Sequence, residues 1–188
     1  EFIVDREVFG DYAYNMEYVE QMVKNYTYLN LGLTVQLNGK PYTSKNGLLD
    51  LVNDNLSSDP LYQPIHLSGD DIEVVITHGN GYGEAYSSFV NGQYTPQGGT
   101  HQAAFREAIA KTIKEFFKKD FDPSDVRTSV MGAISVSVEE PEFESQTKIR
   151  LSSKLMEPGG QTVRQFILDF VSRELDNYLH KHPDTAQA

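Results

Sequence analysis

Cysteine is absent from the 188 residues. That excludes a disulfide framework and any thiolate metal site, and an intracellular setting is the simpler expectation. No apolar run approaches the roughly 20 residues that a membrane-spanning helix needs. No basic leader with an apolar stretch opens the chain. Positive charge is scarce: 16 Lys and Arg stand against 27 Asp and Glu, a net charge of −11. A field of that sign does not attract DNA, so any nucleic-acid contact has to come from a local basic patch. The acidity itself is accounted for by solubility. Signatures of serine hydrolases and zinc peptidases are also missing, with no G-x-S-x-G and no H-E-x-x-H. His101 has no second His or acidic partner at metal-ligand spacing, and no metal site is expected. The chain starts at Glu1 and ends in a polar His182-Pro183-Asp184-Thr185 stretch, and a piece of something longer is expected.

What is present suits a globular core, with 39% apolar residues, 11 Tyr and 10 Phe. One domain over 1–188 is expected. Met16, Val19, Met22, Val23, Tyr26 and Leu29 recur at helical spacing behind a capping Asn15. Leu31, Leu33, Val35 and Leu37 alternate ahead of Asn38-Gly39, which predicts a hairpin with a tight turn. A short helix is expected from Gly47 to Leu56. Strands are expected around Ile65 and Leu67, over Ile72 to Ile76, and over Tyr86 to Val90. A long helix follows from Thr100 to Lys119, then a short turn or helix starting at Asp122-Pro123-Ser124-Asp125, and a strand through Ile134, Val136 and Val138. The last element is an amphipathic helix from Val163 to Leu179. A strand–helix–strand order over residues 86 to 138 implies a crossover connection in a mixed α and β domain.

Two glycine-rich runs are candidate phosphate cradles. Gly79-Asn80-Gly81-Tyr82-Gly83 lies between two strands, with no GKS or GKT, and reads as a hairpin turn. Gly98-Gly99 does precede a helix, with Thr100 as the expected N-cap. His101 reads as structural. Lys111, Lys114 and Lys118, with Arg106 before them, make the densest basic helical face. Solvation is the usual origin of such a face, but in an acidic chain it is a candidate DNA-facing strip. Residues 141–150 read as an exposed polar loop, and between Lys148 and Lys154 there are three cations and no acid.

Two segments carry a resemblance. Gln97-Gly98-Gly99-Thr100-His101 with Phe105-Arg106, and Phe143-Glu144-Ser145-Gln146-Thr147-Lys148, resemble the Q/E-G-G-T-H…F/L-R and F-x-x-Q-T-K segments of bacterial type IIA DNA topoisomerase B subunits. Asp125-Val126-Arg127 and Ala133-Ile134-Ser135-Val136 sit where that family enters a strand. The similarity runs from Phe2 to Pro183. Gln97, Asn91-Gly92-Gln93-Tyr94 and Asn46-Gly47 make the chain more similar to the topoisomerase IV B subunit than to the gyrase B subunit, which stays the near alternative.

The resemblance implies the transducer, lying between a GHKL ATPase domain and a TOPRIM domain of the same chain. Residues 1–14 would be a linker from the first, and the helix at 161–181 would lead toward the second. The implied fold is an α/β (α+β) two-layer sandwich of the ribosomal-protein-domain-2 type, with a left-handed βαβ crossover. The implied function is to relay ATP binding and hydrolysis to DNA strand passage, with Lys148 and Gln146 at the ATP γ-phosphate. Adenine and Mg²⁺ would be held outside this chain, which lacks the N-x-x-x-D and D-x-G-x-G signatures and would be inactive alone. The implied partners are the topoisomerase A subunit, double-stranded DNA and a second B subunit, at the nucleoid in the cytoplasm and with no membrane. The rivals from other classes are a stand-alone nucleic-acid-binding module of the same fold and a small-molecule kinase of related fold.

Overall fold

The computed structural model describes residues 3–188; the Phe2 end of the resemblance lies outside them. The chain divides into two compact units, Glu1–Gly47 and Leu48–Ala188.

The described part of the first unit holds helices α1 (Arg6–Phe9) and α2 (Met16–Leu29) and the hairpin of β1 (Thr34–Leu37) and β2 (Lys40–Thr43). Asp5 caps α1 by accepting from the Glu7 N–H. Asn15 caps α2 as expected, accepting from the Glu17 N–H. The hairpin turns on Asn38 and Gly39, both at positive φ, as a two-residue turn between right-twisted strands requires. The apolar stripe of α2 is not its buried face. Asn25, Thr27 and Tyr28 are buried, while Met16, Met22 and Tyr26 are exposed.

The second unit is built on a five-stranded mixed sheet. Its elements are α3 (Leu48–Asn55), β3 (Ile65–Gly69), β4 (Ile72–His78), β5 (Ala85–Val90), β6 (Gln93–Tyr94), α4 (Thr100–Phe117), α5 (Pro123–Arg127), β7 (Val130–Val136), α6 (Val163–Lys181) and α7 (Pro183–Gln187). Strand order is β3-β4-β7-β5-β6. β7 runs antiparallel to β4 and parallel to β5. The β5–α4–β7 segment is therefore a crossover between parallel neighbours, as the strand–helix–strand order implied. The glycine run at 79–83 does not make a hairpin, because β7 lies between β4 and β5. It is tied to the start of β7 instead, with the Gly79 N–H donating to the Ser129 carbonyl (2.8 Å) and the Ser129 N–H to that of Gly83 (2.6 Å).

Period-2 alternation sends Ile72, Val74, Ile76, Ile134 and Val136 into a core shared with Phe105 and Ile109 of α4 and with Ile167, Phe170 and Val171 of α6. Val75, Phe89 and Ala133 alternate with them and are also fully buried. α3 packs on β4 and β7, with Leu48, Leu51 and Val52 buried. Thr112 of α4 donates to Ser172 Oγ of α6 (3.2 Å), and Arg164 of α6 forks onto Glu107 of α4, with Nε–Oε2 at 2.8 Å. β7 begins at Val130 and ends at Val136, so the strand stops before Val138, which is nonetheless buried.

Candidate functional site

The two segments that carry the resemblance are hydrogen-bonded to each other. The Gln97 N–H donates to the Ile149 carbonyl (3.0 Å), the Leu151 N–H to that of Gly98 (3.0 Å), and the Thr100 N–H to that of Leu151 (3.1 Å). Gly99 and Leu151 form a parallel bridge, and Phe143 and Leu151 an antiparallel one. The loop that carries Gln146 and Lys148 is thus clamped at its base to the start of α4.

Gly99 is what allows the close approach. A Cβ there would stand 2.2 Å from the Leu151 carbonyl oxygen, and the residue has φ of +133°. Gly99 is also the N-cap of α4, without a side-chain cap bond. This corrects the expectation for Thr100, which is one residue inside the helix and whose Oγ1 is buried with no hydrogen-bond partner among the described residues. The cap is lost because Leu151, and not a capping hydroxyl, occupies the approach to the first turn.

Above this base the loop is closed by its own groups. Arg150 Nε donates to Glu144 Oε1 (2.8 Å), and its Nη1 to the Gln97 carbonyl (3.3 Å). The Lys148 N–H closes a turn onto the Ser145 carbonyl (3.0 Å). Lys148 takes φ of +55°, a left-handed conformation that costs a non-glycine residue about 1 kcal/mol. Gln146 and Lys148 are both exposed. The Lys148 ammonium lies 5.9 Å from the centre of the Phe143 ring and forms no ion pair among the described residues.

The α4 cations are in a different state. Arg106 is bidentate on Glu84, with Nε–Oε2 at 3.0 Å, and Arg127 reaches the same carboxylate at 3.4 Å. Burial pushes the Glu84 carboxyl up, but hydrogen bonds from Arg106 and Tyr86 and the two guanidinium charges outweigh it and hold it below the usual range. Lys114 is paired with Asp120 at 2.7 Å, and Lys111 with Glu115 at 3.9 Å. Lys118 ends the helix in a left-handed conformation. Arg106, Lys111, Lys114 and Arg127 line one groove of about 470 Å³, but Glu107 and Glu115 line it too. Lys118 is not in it. That Glu84 is shared by Arg106 and Arg127 was not legible, since the three are brought together only by the packing of α4 and α5 beside β5.

Under the glycine pair lies a polar cluster that sequence reasoning reduced to a structural His101. Thr95 Oγ1 donates to the Ser88 carbonyl (2.7 Å) and lies 3.1 Å from His101 Nε2; Ser88 Oγ lies 3.0 Å from Gln102 Oε1. His101 is completely buried, and burial pushes its imidazole down to about 4. A histidine depressed from 6.5 in the unfolded chain stabilises the fold fully above that pH and loses the contribution as pH falls toward 4. Urea unfolding at pH 7.5 and about pH 5 should therefore show a His101-dependent loss of about 2 kcal/mol. His101→Gln should flatten that slope. His78, also pushed down by burial, leaves a residual slope of the same sign. An unchanged slope in His101→Gln would show that the ring is not held neutral. Among the described residues no three His, Asp or Glu side chains cluster as metal ligands, and no helix is long and apolar enough to cross a membrane.

This fold is that of ATPase regions of gyrase and type II topoisomerases. A solved structure of the B-subunit of Myxococcus xanthus DNA gyrase is matched over 98% of the chain and 56% of that structure, at TM-score 0.77 and 18% identity. The 43K ATPase domain of Thermus thermophilus gyrase B, solved with an aminocoumarin, is matched over 97% of the chain and 53% of that structure, at TM-score 0.72 and 23% identity. The DNA gyrase B family matches residues 16–188, and the chain belongs to that family, as part of a type IIA topoisomerase B subunit. The B subunit of DNA topoisomerase 4 from Borreliella burgdorferi is 43% identical over 81% of the chain and 26% of its own length. The DNA gyrase B subunit of Clostridium acetobutylicum is 27% identical over 97% of the chain and 31% of its own length. The chain thus spans about a quarter to a third of these relatives.

Proposed function

We propose that this chain is the transducer region of an ATP-dependent type IIA topoisomerase, similar to the topoisomerase IV B subunit, and that it supplies Lys148 to the ATP γ-phosphate, with Gln146 beside it. The observation that carries the proposal is the exposed Lys148 ammonium, without an ion pair among the described residues, on a loop whose base is bonded to the start of α4. The 43% identity to a topoisomerase 4 B subunit, against 27% and 34% to two gyrase B subunits, supports the choice within the family. A cation held where phosphoryl charge develops stabilises the transition state. The same contact differs between ATP and its products, and only such a difference can shift a conformational equilibrium. Loss of the contact would let the region rotate as a body and report nucleotide state to the DNA gate.

ATP is substrate in this proposal. Its adenine, and Mg²⁺, would be held by the GHKL domain, so the chain alone would be inactive. The TOPRIM domain, the A subunit, a second B subunit and double-stranded DNA complete the proposed assembly, in the cytoplasm at the nucleoid. The test is ATP hydrolysis by the intact B subunit carrying Lys148→Ala; a near-normal rate would remove the phosphate role.

Arg106, Lys111, Lys114 and Lys118 stay in the proposal as the DNA-facing strip, weakened by the acids that neutralise three of them. Arg106→Gln should lower strand passage by the reconstituted enzyme most at low salt and make it less steeply salt-dependent, because each phosphate contact adds to the salt slope. Activity equal to wild type across a salt series would assign Arg106 to the Glu84 ion pair alone.

A further inference from the structure

The polar cluster beneath the glycine pair has its own proton arithmetic. The Thr95 hydroxyl has one proton, and its shortest acceptor is the Ser88 carbonyl at 2.7 Å. With the proton committed there, Thr95 Oγ1 can only accept from His101 Nε2, at 3.1 Å. His101 then carries its proton on Nε2, which leaves Nδ1 as a bare acceptor. Nδ1 is buried and has no hydrogen-bond partner among the described residues. The opposite tautomer would bury an unpaired N–H donor and leave Nε2 facing a hydroxyl with no proton to give, a doubly unfavourable arrangement.

This one-way bond ties α4 to the turn before it. The Thr95 N–H donates to the Ser88 carbonyl (2.9 Å), and the Gly98 N–H to the Thr95 carbonyl (2.8 Å). Gly98 in turn accepts from Leu151, at the base of the Lys148 loop. His101 sits on the first turn of α4, so it references the turn to a helix whose inner face is packed into the core. A continuous path of hydrogen bonds runs from His101 through Thr95 and Gly98 to Leu151, and every residue on it is buried. The loop has a second buried anchor at its base, where the Glu142 N–H donates to Ser153 Oγ (2.8 Å) and Phe143 bridges Leu151, while the side-chain bonds nearest Lys148 join exposed groups.

We propose that His101 is a positioning residue for the Lys148 loop, acting through Thr95 and the Gly98-Gly99 backbone to fix where the ammonium stands. This rests on the proposed role of Lys148 and assigns no contact between His101 and nucleotide. A displacement of about 1 Å at a reacting group can cost roughly a hundred-fold in rate. His101→Leu removes the donor while keeping an apolar body in the site. Thr95→Val removes the acceptor with little change of shape. Each should lower ATPase turnover, measured on the intact B subunit, roughly ten- to a hundred-fold. His101→Gln places an amide N–H near the Nε2 position and should recover most of the rate.

The decisive experiment is a double-variant cycle on the intact B subunit, with ATP turnover measured for each variant. If His101 acts through the loop, adding His101→Leu or Thr95→Val to Lys148→Ala should cost less than about twofold more. Losses that multiply in the double variants overturn the proposal, since His101 would then act on the fold at large. Near-normal rates for both His101→Leu and Thr95→Val, with Lys148→Ala impaired, overturn it while leaving the role of Lys148 standing. A near-normal Lys148→Ala removes that role and the positioning proposal with it. Should His101→Leu fail to fold, Thr95→Val and its double variant decide the question by the same criteria.

Discussion

Lys148→Ala in the intact B subunit should lower the rate of ATP hydrolysis roughly a hundred- to thousand-fold, as expected when one preorganised charge at a reacting phosphate is removed. Two unit charges about 4 Å apart interact by about 4 kcal/mol at an effective dielectric near 20, before desolvation, which is the right order for such a loss. The side chain is exposed, with its ammonium near the Phe143 ring, so its removal opens no core cavity and the melting temperature should barely move. Lys148→Gly separates charge from backbone. It also abolishes the cation, but it relieves the left-handed conformation at φ of +55°, so it should be as inactive as the alanine variant without being less stable in the folded loop. Lys148→Arg should not rescue fully, because a planar fork presents its donors differently from an ammonium. Lys154→Ala, close in sequence and outside the Q-T-K match, should keep a near-normal rate. Steady-state ATPase rates and melting curves for the four variants decide the matter. Similar, near-normal rates for Lys148→Ala and Lys154→Ala would make the loop a plain surface feature.

Gly99→Ala should be the most damaging single methyl group that can be added to the clamp. Its Cβ would lie 2.2 Å from the Leu151 carbonyl oxygen and 2.6 Å from the Leu151 nitrogen, at a φ of +133°. Neither neighbour is a flexible side-chain end. Leu151 is 1% exposed and is held by backbone bonds to Gly98 and Thr100, so relief requires breaking the bridge. A loss of roughly 3–5 kcal/mol is expected, the range of severe backbone and packing defects, or a fall in melting temperature of roughly 10 °C for a chain of this size. Gly92→Ala is the control. It has φ of +76° but open space around the added Cβ, so only the conformational cost of about 1 kcal/mol applies. Thermal melts of the two variants should differ widely. If Gly99→Ala melts within about a degree or two of Gly92→Ala, the Leu151 backbone yields easily and the base of the loop is not rigid.

Much of the secondary structure was legible because it is encoded locally. The helical period of Phe105, Ile109 and Ile113 and that of Val163 to Leu179 announce α4 and α6, and Asn38-Gly39 announces its hairpin, because those residues meet their determinants within a few positions. Asp122 ahead of Pro123 is another local signal that held, with Asp122 capping α5 through the Ser124 N–H. The glycine run at 79–83 was misassigned for the converse reason. Its local chemistry suits a tight turn, but the strand that pairs with both β4 and β5 arrives some fifty residues later. Thr100 was misassigned likewise, since a capping hydroxyl and a close backbone approach are both compatible with Gly-Gly-Thr, and Leu151 decides between them.

By itself, the sequence determined the mixed α and β composition, the sites of most helices and strands, the exclusion of disulfide chemistry, and the two motifs that pointed to the gyrase B family. Those properties depend on residue identity and on spacing within one element. Only the tertiary structure decided that the Q-G-G-T-H and Q-T-K segments are hydrogen-bonded to one another, that Arg106 is paired with Glu84 rather than facing solvent unopposed, and that His101 is buried against Thr95. Each of these depends on which distant segments share a face of the sheet. A burial pattern records that a residue is inside without naming what it meets there, so charge pairing, close backbone approach and the tautomer of a buried imidazole emerge only once β7 has inserted between β4 and β5 and α4 has docked across them.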